Sequence, residues 1–136
     1  MAIIKENRGE LSRLYEKLVN QIVKEFPLEW TNCCVGFFVD AFQRESLQVY
    51  VSCNEGNTWH DFMEDVFSAE GIMEGIFDGK ETCRELYTLC SKAGDKWTSF
   101  TLIADRMGGF SAEFDYTELD DFNTMRKKMW IGKYLK

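Results

Sequence analysis

Proline is almost missing from this sequence, with one residue in 136, and histidine occurs once. One proline and no low-complexity tract exclude a Pro-rich linker or a disordered tail, so one ordered domain spanning residues 1–136 is expected. No apolar run approaches the roughly 20 residues that cross a membrane, and the opening MAIIKENRGEL lacks the pattern of a signal peptide. No membrane partner is therefore expected. Basic charge is also short, since 16 Lys and Arg stand against 23 Asp and Glu and leave a net charge of −7. Such a chain repels phosphate backbones, which argues against direct nucleic-acid binding and favours a basic protein partner. The five cysteines are odd in number and include the adjacent pair Cys33-Cys34, which matches neither a disulfide framework nor the spaced pairs of a zinc site. Free, mostly buried thiols in a reducing cytoplasm are expected, with no metal and no cofactor.

Apolar and aromatic residues are plentiful. The sequence is 45% hydrophobic, with 11 Phe, 5 Tyr and 4 Trp, and a chain of this length removes roughly 65–70% of its unfolded surface from water. Leu11, Leu14, Tyr15, Leu18, Val19, Ile22, Val23 and Phe26 recur at helical spacing, with Arg13, Glu16, Lys17, Asn20 and Lys24 on the other side. That predicts an amphipathic helix begun by Asn7 or Ser12 and ended at Phe26 by Pro27. Residues 33–42 (CCVGFFVDAF) and 47–53 (LQVYVSC) predict an antiparallel hairpin. In the second of these, Leu47, Val49, Val51 and Cys53 alternate with a polar face of Gln48, Tyr50 and Ser52, so this strand is expected to be half-buried.

Residues 54–58 (NEGNT) form a turn cluster, and 59–62 (WHDF) predict a third short strand. Residues 68–93 read as helical and stop at Gly94, but Gly71, Gly75 and Gly79 each cost about 1 kcal/mol against alanine. The segment is accordingly one helix, or two divided near Asp78-Gly79. Residues 97–119 (WTSFTLIADRMGGFSAEFDYTEL) predict two strands joined through Gly108-Gly109, the second placing Phe110, Ala112, Phe114 and Tyr116 opposite Ser111, Glu113 and Asp115. Phe122, Met125, Met129, Trp130, Lys133 and Tyr134 predict a closing helix. The fold class is α+β: an antiparallel sheet of about 4–5 strands covered by an N-terminal amphipathic helix, a central helical segment and a C-terminal helix.

The WTSFTL strand, the Gly109-Phe110 turn, the FDY at 114–116 and the closing Arg126, Trp130, Lys133, Tyr134 and Leu135 resemble the C-terminal half of the YezG-like immunity proteins, which include EsaG-type nuclease antitoxins. Trp59-His60-Asp61 and the leading helix followed by Trp30 are similar in layout, whereas the glycine-interrupted, cysteine-bearing residues 64–90 depart from the close relatives. The resemblance implies a cytoplasmic protein that neutralises a toxin, often a nuclease domain delivered by a sibling cell or exported by the same cell.

Acid is concentrated in two spans. Asp61, Glu64, Asp65, Glu70, Glu74, Asp78 and Glu81 stand against Lys80 alone, and Glu113, Asp115, Glu118, Asp120 and Asp121 form a run without a base. Either span is a solvated face or a surface that attracts the basic groove of a nuclease. With Trp59 and Tyr116 as aromatic anchors beside them, the candidate partner-binding residues are Trp59, Asp61, Glu64, Asp65, Glu70, Glu74, Glu113, Asp115, Tyr116, Glu118, Asp120 and Asp121. Trp97 and Trp130 read instead as core.

The rival enzyme reading is a thiol hydrolase using Cys53 and His60, but no nucleophile motif surrounds Cys53 and no catalytic residue is assigned. A third reading is a small cytoplasmic adaptor or secretion chaperone.

Overall fold

In the computed structural model, which describes residues 8–68, 73–117 and 124–135, the CCVGFFV run becomes β1 (Asn32–Val39), the middle strand of a five-stranded antiparallel sheet. The elements in chain order are α1 (Arg8–Val23), β1, β2 (Glu45–Ser52), β3 (His60–Asp61), α2 (Phe62–Ser68), α3 (Glu74–Lys92), β4 (Ser99–Asp105), β5 (Phe110–Asp115) and α4 (Thr124–Tyr134). The strands lie in the order β3-β2-β1-β4-β5. Cys33, Val35, Phe37 and Val39 of β1 face a core shared with Leu14, Leu18 and Ile22 of α1 and Cys83, Leu86 and Cys90 of α3. Cys34 and Phe38, on the other face, meet Tyr50 and the indole of Trp130 from α4. Helices on both faces explain why seven of the eight β1 residues are buried.

That second layer corrects the reading of β2 as half-buried. Tyr50 and Ser52, placed on its polar face, are buried, because Trp130 of α4 covers Tyr50 and the turn at 54–58 closes over Ser52, whose hydroxyl accepts the N–H groups of Asn54 and Gly56. The first hairpin also turns sooner than expected. The Asp40 carboxylate accepts the backbone N–H groups of Phe42 and Arg44 at 2.8 and 2.9 Å, which draws the chain round before Phe42 and leaves that ring 72% exposed. The short strand expected near residues 59–62 is β3, paired to β2 at Tyr50 and Val51.

Within residues 68–93 the described helix is α3, which runs unbroken through Asp78 and Gly79 where a division was expected, and the separate short helix α2 ends where that segment begins, at Ser68. Packing decides this against helix propensity. A Cβ on Gly75 would lie 2.2 Å from the backbone oxygen of Gln21, and one on Gly79 would lie 2.8 Å from Ile22 Cγ1, so the two glycines let α3 approach α1 closely. Gly94 ends α3 as expected, with φ +88 and its N–H donated to Ser91 O at 3.0 Å. α1 stops at Val23, three residues short of the predicted end, and the following turn tucks Phe26 against Trp30 and Phe62.

The C-terminal hairpin forms as read, with Phe100 opposite Phe114 and Leu102 opposite Ala112 on the α1/α3 side. Gly108 takes the positive φ of the turn, and Asp105 accepts the N–H groups of Met107 and Gly109. Trp97 precedes β4 and sits in the first core with Phe100, rather than on the face of Ser99 and Thr101 where strand alternation would put it. In α4 the expected stripe is only partly buried: Trp130 is packed, while Met125 and Met129 are 70% and 64% exposed.

Candidate partner-binding surfaces

The sheet order separates the two acidic spans. Asp61 ends β3 at one edge and Glu113 and Asp115 lie on β5 at the other, four strand spacings or roughly 19 Å apart. Glu70, Glu118, Asp120 and Asp121 lie outside the described residues.

On the β3 side, Asp61 is tied inward. Its carboxylate accepts from Lys127 Nζ at 3.1 Å, Tyr50 Oη at 3.3 Å and the N–H of Met63 at 3.1 Å, joining β2, β3, α2 and α4 at one point. Burial, and then the Asp61 carboxylate, raise the Tyr50 phenol above its ordinary pKa. Burial works to lower the Lys127 ammonium, but the hydrogen bond and charge of Asp61 together with Tyr50 outweigh it and raise it as well. Glu64 and Glu74 are exposed on α2 and at the start of α3, and Asp65 Oδ2 lies 3.0 Å from His60 Nε2. Trp59 is half-buried against the second core, above Gly56.

The β5 side is organised by the C-terminal helix. Glu113 and Asp115 face α4 rather than the first core, and Tyr134 donates its hydroxyl to Glu113 Oε2. Asp115 accepts the N–H of Thr117 at 2.7 Å, and this bond, with Lys133 nearby, holds its carboxyl below the usual range. Tyr116 leaves the strand to donate to Asp95 Oδ1 at 2.6 Å, and burial together with that bond pushes its phenol up. Asp95 is 2% exposed and its second oxygen has no hydrogen-bond partner.

Among the described residues, three clefts stand out. One of about 280 Å³ lies between β4 and α4 and is lined by Ser99, Thr101, Asp115, Trp130 and Lys133. One of about 410 Å³ lies along α1 and α3 among Glu10, Glu81, Arg84 and Lys92. The largest of the three, about 600 Å³, follows the outer edge of β2 between α3 and Lys127 of α4. Gln48, Ile76, Phe77 and Lys127, which line it, carried no site signal in the sequence; the one available hint was that four residues at 59–62 are too few to cover an eight-residue strand.

The cysteines are free, and Cys33, Cys34, Cys83 and Cys90 are buried while Cys53 is exposed. Burial pushes the Cys33 and Cys34 thiols up to about 12. Among the described residues, no group of three or more His, Cys, Asp and Glu stands close enough to hold a metal ion. No helix among them is long and apolar enough to cross a membrane.

Helices on both faces of an antiparallel sheet, with acidic side chains along both edges and a cleft beside β2, make this an α+β domain. Residues 11–136 match the family described as "Immunity protein YezG-like". The chain therefore belongs to the YezG-like immunity proteins. It is also 28% identical over 136 residues to the immunity protein YezG of Bacillus spizizenii, an alignment covering 93% of this chain and 83% of that protein.

Proposed function

We propose that this immunity protein acts in the cytoplasm by binding a cognate toxin directly and blocking it, without chemistry of its own, and that the toxin is a basic nuclease domain. The carrying observation is the exposure of carboxylates at both sheet edges of a family member whose net charge is −7. Glu64 and Glu74 on one side and Glu113 and Asp115 on the other present negative charge to solvent, as a partner evolved to hold phosphate requires. Free thiols fit a reducing compartment.

The direct test is co-expression with the toxin domain encoded beside this gene. A purified one-to-one complex and survival of the host are expected. Killing that continues unabated, with no complex recovered, overturns the reading. Binding without protection would point to a holding chaperone instead. The nuclease assignment is tested on the toxin alone, which should degrade DNA or RNA until this chain is added.

A further inference from the structure

β2 is covered along only part of its outer side. β3 pairs with it at Tyr50 and Val51, and the chain then turns into α2, so residues 45–49 have no neighbouring strand there among the described residues. The ladder fixes which peptide groups face that side. Asp40 donates its N–H to Arg44 O at 3.0 Å and Val39 donates to Thr98 O at 2.9 Å, so even-numbered residues of β1 bond β2 and odd-numbered ones bond β4. Because Phe38 pairs with Ser46 and Gly36 with Gln48, the peptide groups of Ser46 and Gln48 are used inward. Those of Glu45, Leu47 and Val49 are aimed outward; the Tyr50–Asp61 pairing takes the Val49 carbonyl through Phe62 N–H, so the groups of Glu45 and Leu47 and the N–H of Val49 are left at the open edge.

The cleft of about 600 Å³ lies along this edge, within the size range of about 300–1,000 Å³ that holds a ligand. Its wall toward the first core is apolar, made by Met63, Ile76 and the exposed ring of Phe77. The opposite wall is polar, and Gln48 contributes a buried Oε1 atom that has no hydrogen-bond partner. Glu45, Asp61 and Glu64 line it with Lys80 and Lys127; Glu45 is paired to Arg84 and Asp61 to Lys127, within a chain whose net charge is −7.

We propose that this cleft receives an extended, cationic segment of the toxin as an added strand beside residues 45–49, completing the row that β3 begins. Unpaired main-chain groups supply the affinity of such a junction, and alternate side chains supply its specificity. One side chain of the incoming strand meets the apolar wall at Phe77, and the next presents a donor to Gln48 Oε1. Lysine or arginine serves as that donor and answers the net charge of −7 that the chain carries. The proposal rests on the toxin-binding reading above and adds where and how the toxin is held.

Backbone amide exchange, followed by NMR on the intact protein alone and with the adjacent-encoded toxin domain, tests it. In the free protein, Ser46 and Gln48 exchange slowly and Leu47 and Val49 quickly. In the complex, Leu47 and Val49 slow by at least about tenfold, and Phe77→Lys weakens binding by about tenfold with its thermal midpoint unchanged. A complex in which Leu47 and Val49 are unaltered, or in which protection appears on β5 instead, overturns the added strand and leaves the immunity reading standing. Slowing in the free protein that grows with its concentration assigns the edge to a second copy and also overturns it. If no complex forms, the toxin-binding reading fails and this proposal falls with it.

Discussion

Trp130 packs into the space that Gly36 leaves: a Cβ on that glycine would stand 2.6 Å from the indole Cζ2. The indole N–H is donated to Thr101 Oγ1 at 2.9 Å, so the ring is fixed at both ends against the middle of the sheet. Gly36→Ala should displace the indole and loosen α4, at a cost of about 1–3 kcal/mol typical of an overpacked core. Chemical denaturation followed by tryptophan fluorescence checks this. A variant as stable as the parent, with an unmoved emission maximum, would show that the close approach does not hold α4.

Gly75 and Gly132 are both helical, and they should answer oppositely to alanine. Around Gly132 nothing lies within 4 Å of an added Cβ, so Gly132→Ala should gain up to about 1 kcal/mol from helix propensity. At Gly75 the added carbon would meet a backbone oxygen of α1 at 2.2 Å, and backbone cannot turn aside as a side chain does. Gly75→Ala should therefore lower the thermal midpoint despite the same propensity gain. Equal shifts in the two variants would contradict the tight α1–α3 contact.

Tyr116 was read from sequence as a binding residue, yet its hydroxyl supplies the hydrogen bond to the buried Asp95. Tyr116→Phe would leave that carboxylate with neither oxygen paired to it, and should cost about 1–3 kcal/mol of stability. Calorimetry of the free protein is the measurement. Unchanged stability combined with weaker toxin binding would place Tyr116 in the interface and take this structural role from it.

Glu45 gives a pH dependence with a definite sign. Arg84 holds its carboxylate through two hydrogen bonds, at 2.8 and 2.6 Å, and these lower its pKa from the ordinary value of 4.5 although partial burial opposes them. A lowered folded-state value means that the contribution is complete above the ordinary value and disappears as pH falls through the lowered one. The stability difference between the parent and Glu45→Gln, about 1 kcal/mol or less for a half-exposed pair, should thus shrink toward zero on acidification. A difference that grows in acid would contradict the assignment.

The helices and strands were legible where one periodicity ran unopposed. The stripe from Leu11 to Ile22 gave α1, and alternation in 47–53 and 110–116 gave β2 and β5. Failures came where a distant partner changed the balance. Glycines that weaken an isolated helix strengthened α3, because the cost at Gly75 and Gly79 is offset by contact with Gln21 and Ile22. Tyr50 looked solvent-facing until α4 covered it, and Ser52 until the turn at 54–58 closed over it. Met125 and Met129 fell on the helical stripe but lie outside the strip of sheet that Trp130 reaches.

The candidate surfaces divide in the same way. Composition located the acid and the order of the C-terminal motifs located the family, since charge and local pattern are properties of the chain itself. Composition did not say that Asp61 is tied to Lys127 and Tyr50, or that Glu113 is held by Tyr134, because those partners are far away in sequence. Nor did it place the two acidic spans at opposite edges of one sheet, which follows from strand order. The sequence by itself determined an acidic α+β immunity protein. Only the tertiary structure decided which carboxylates remain turned to solvent and that β3 covers only part of β2, because both depend on packing between segments that meet only in the folded chain.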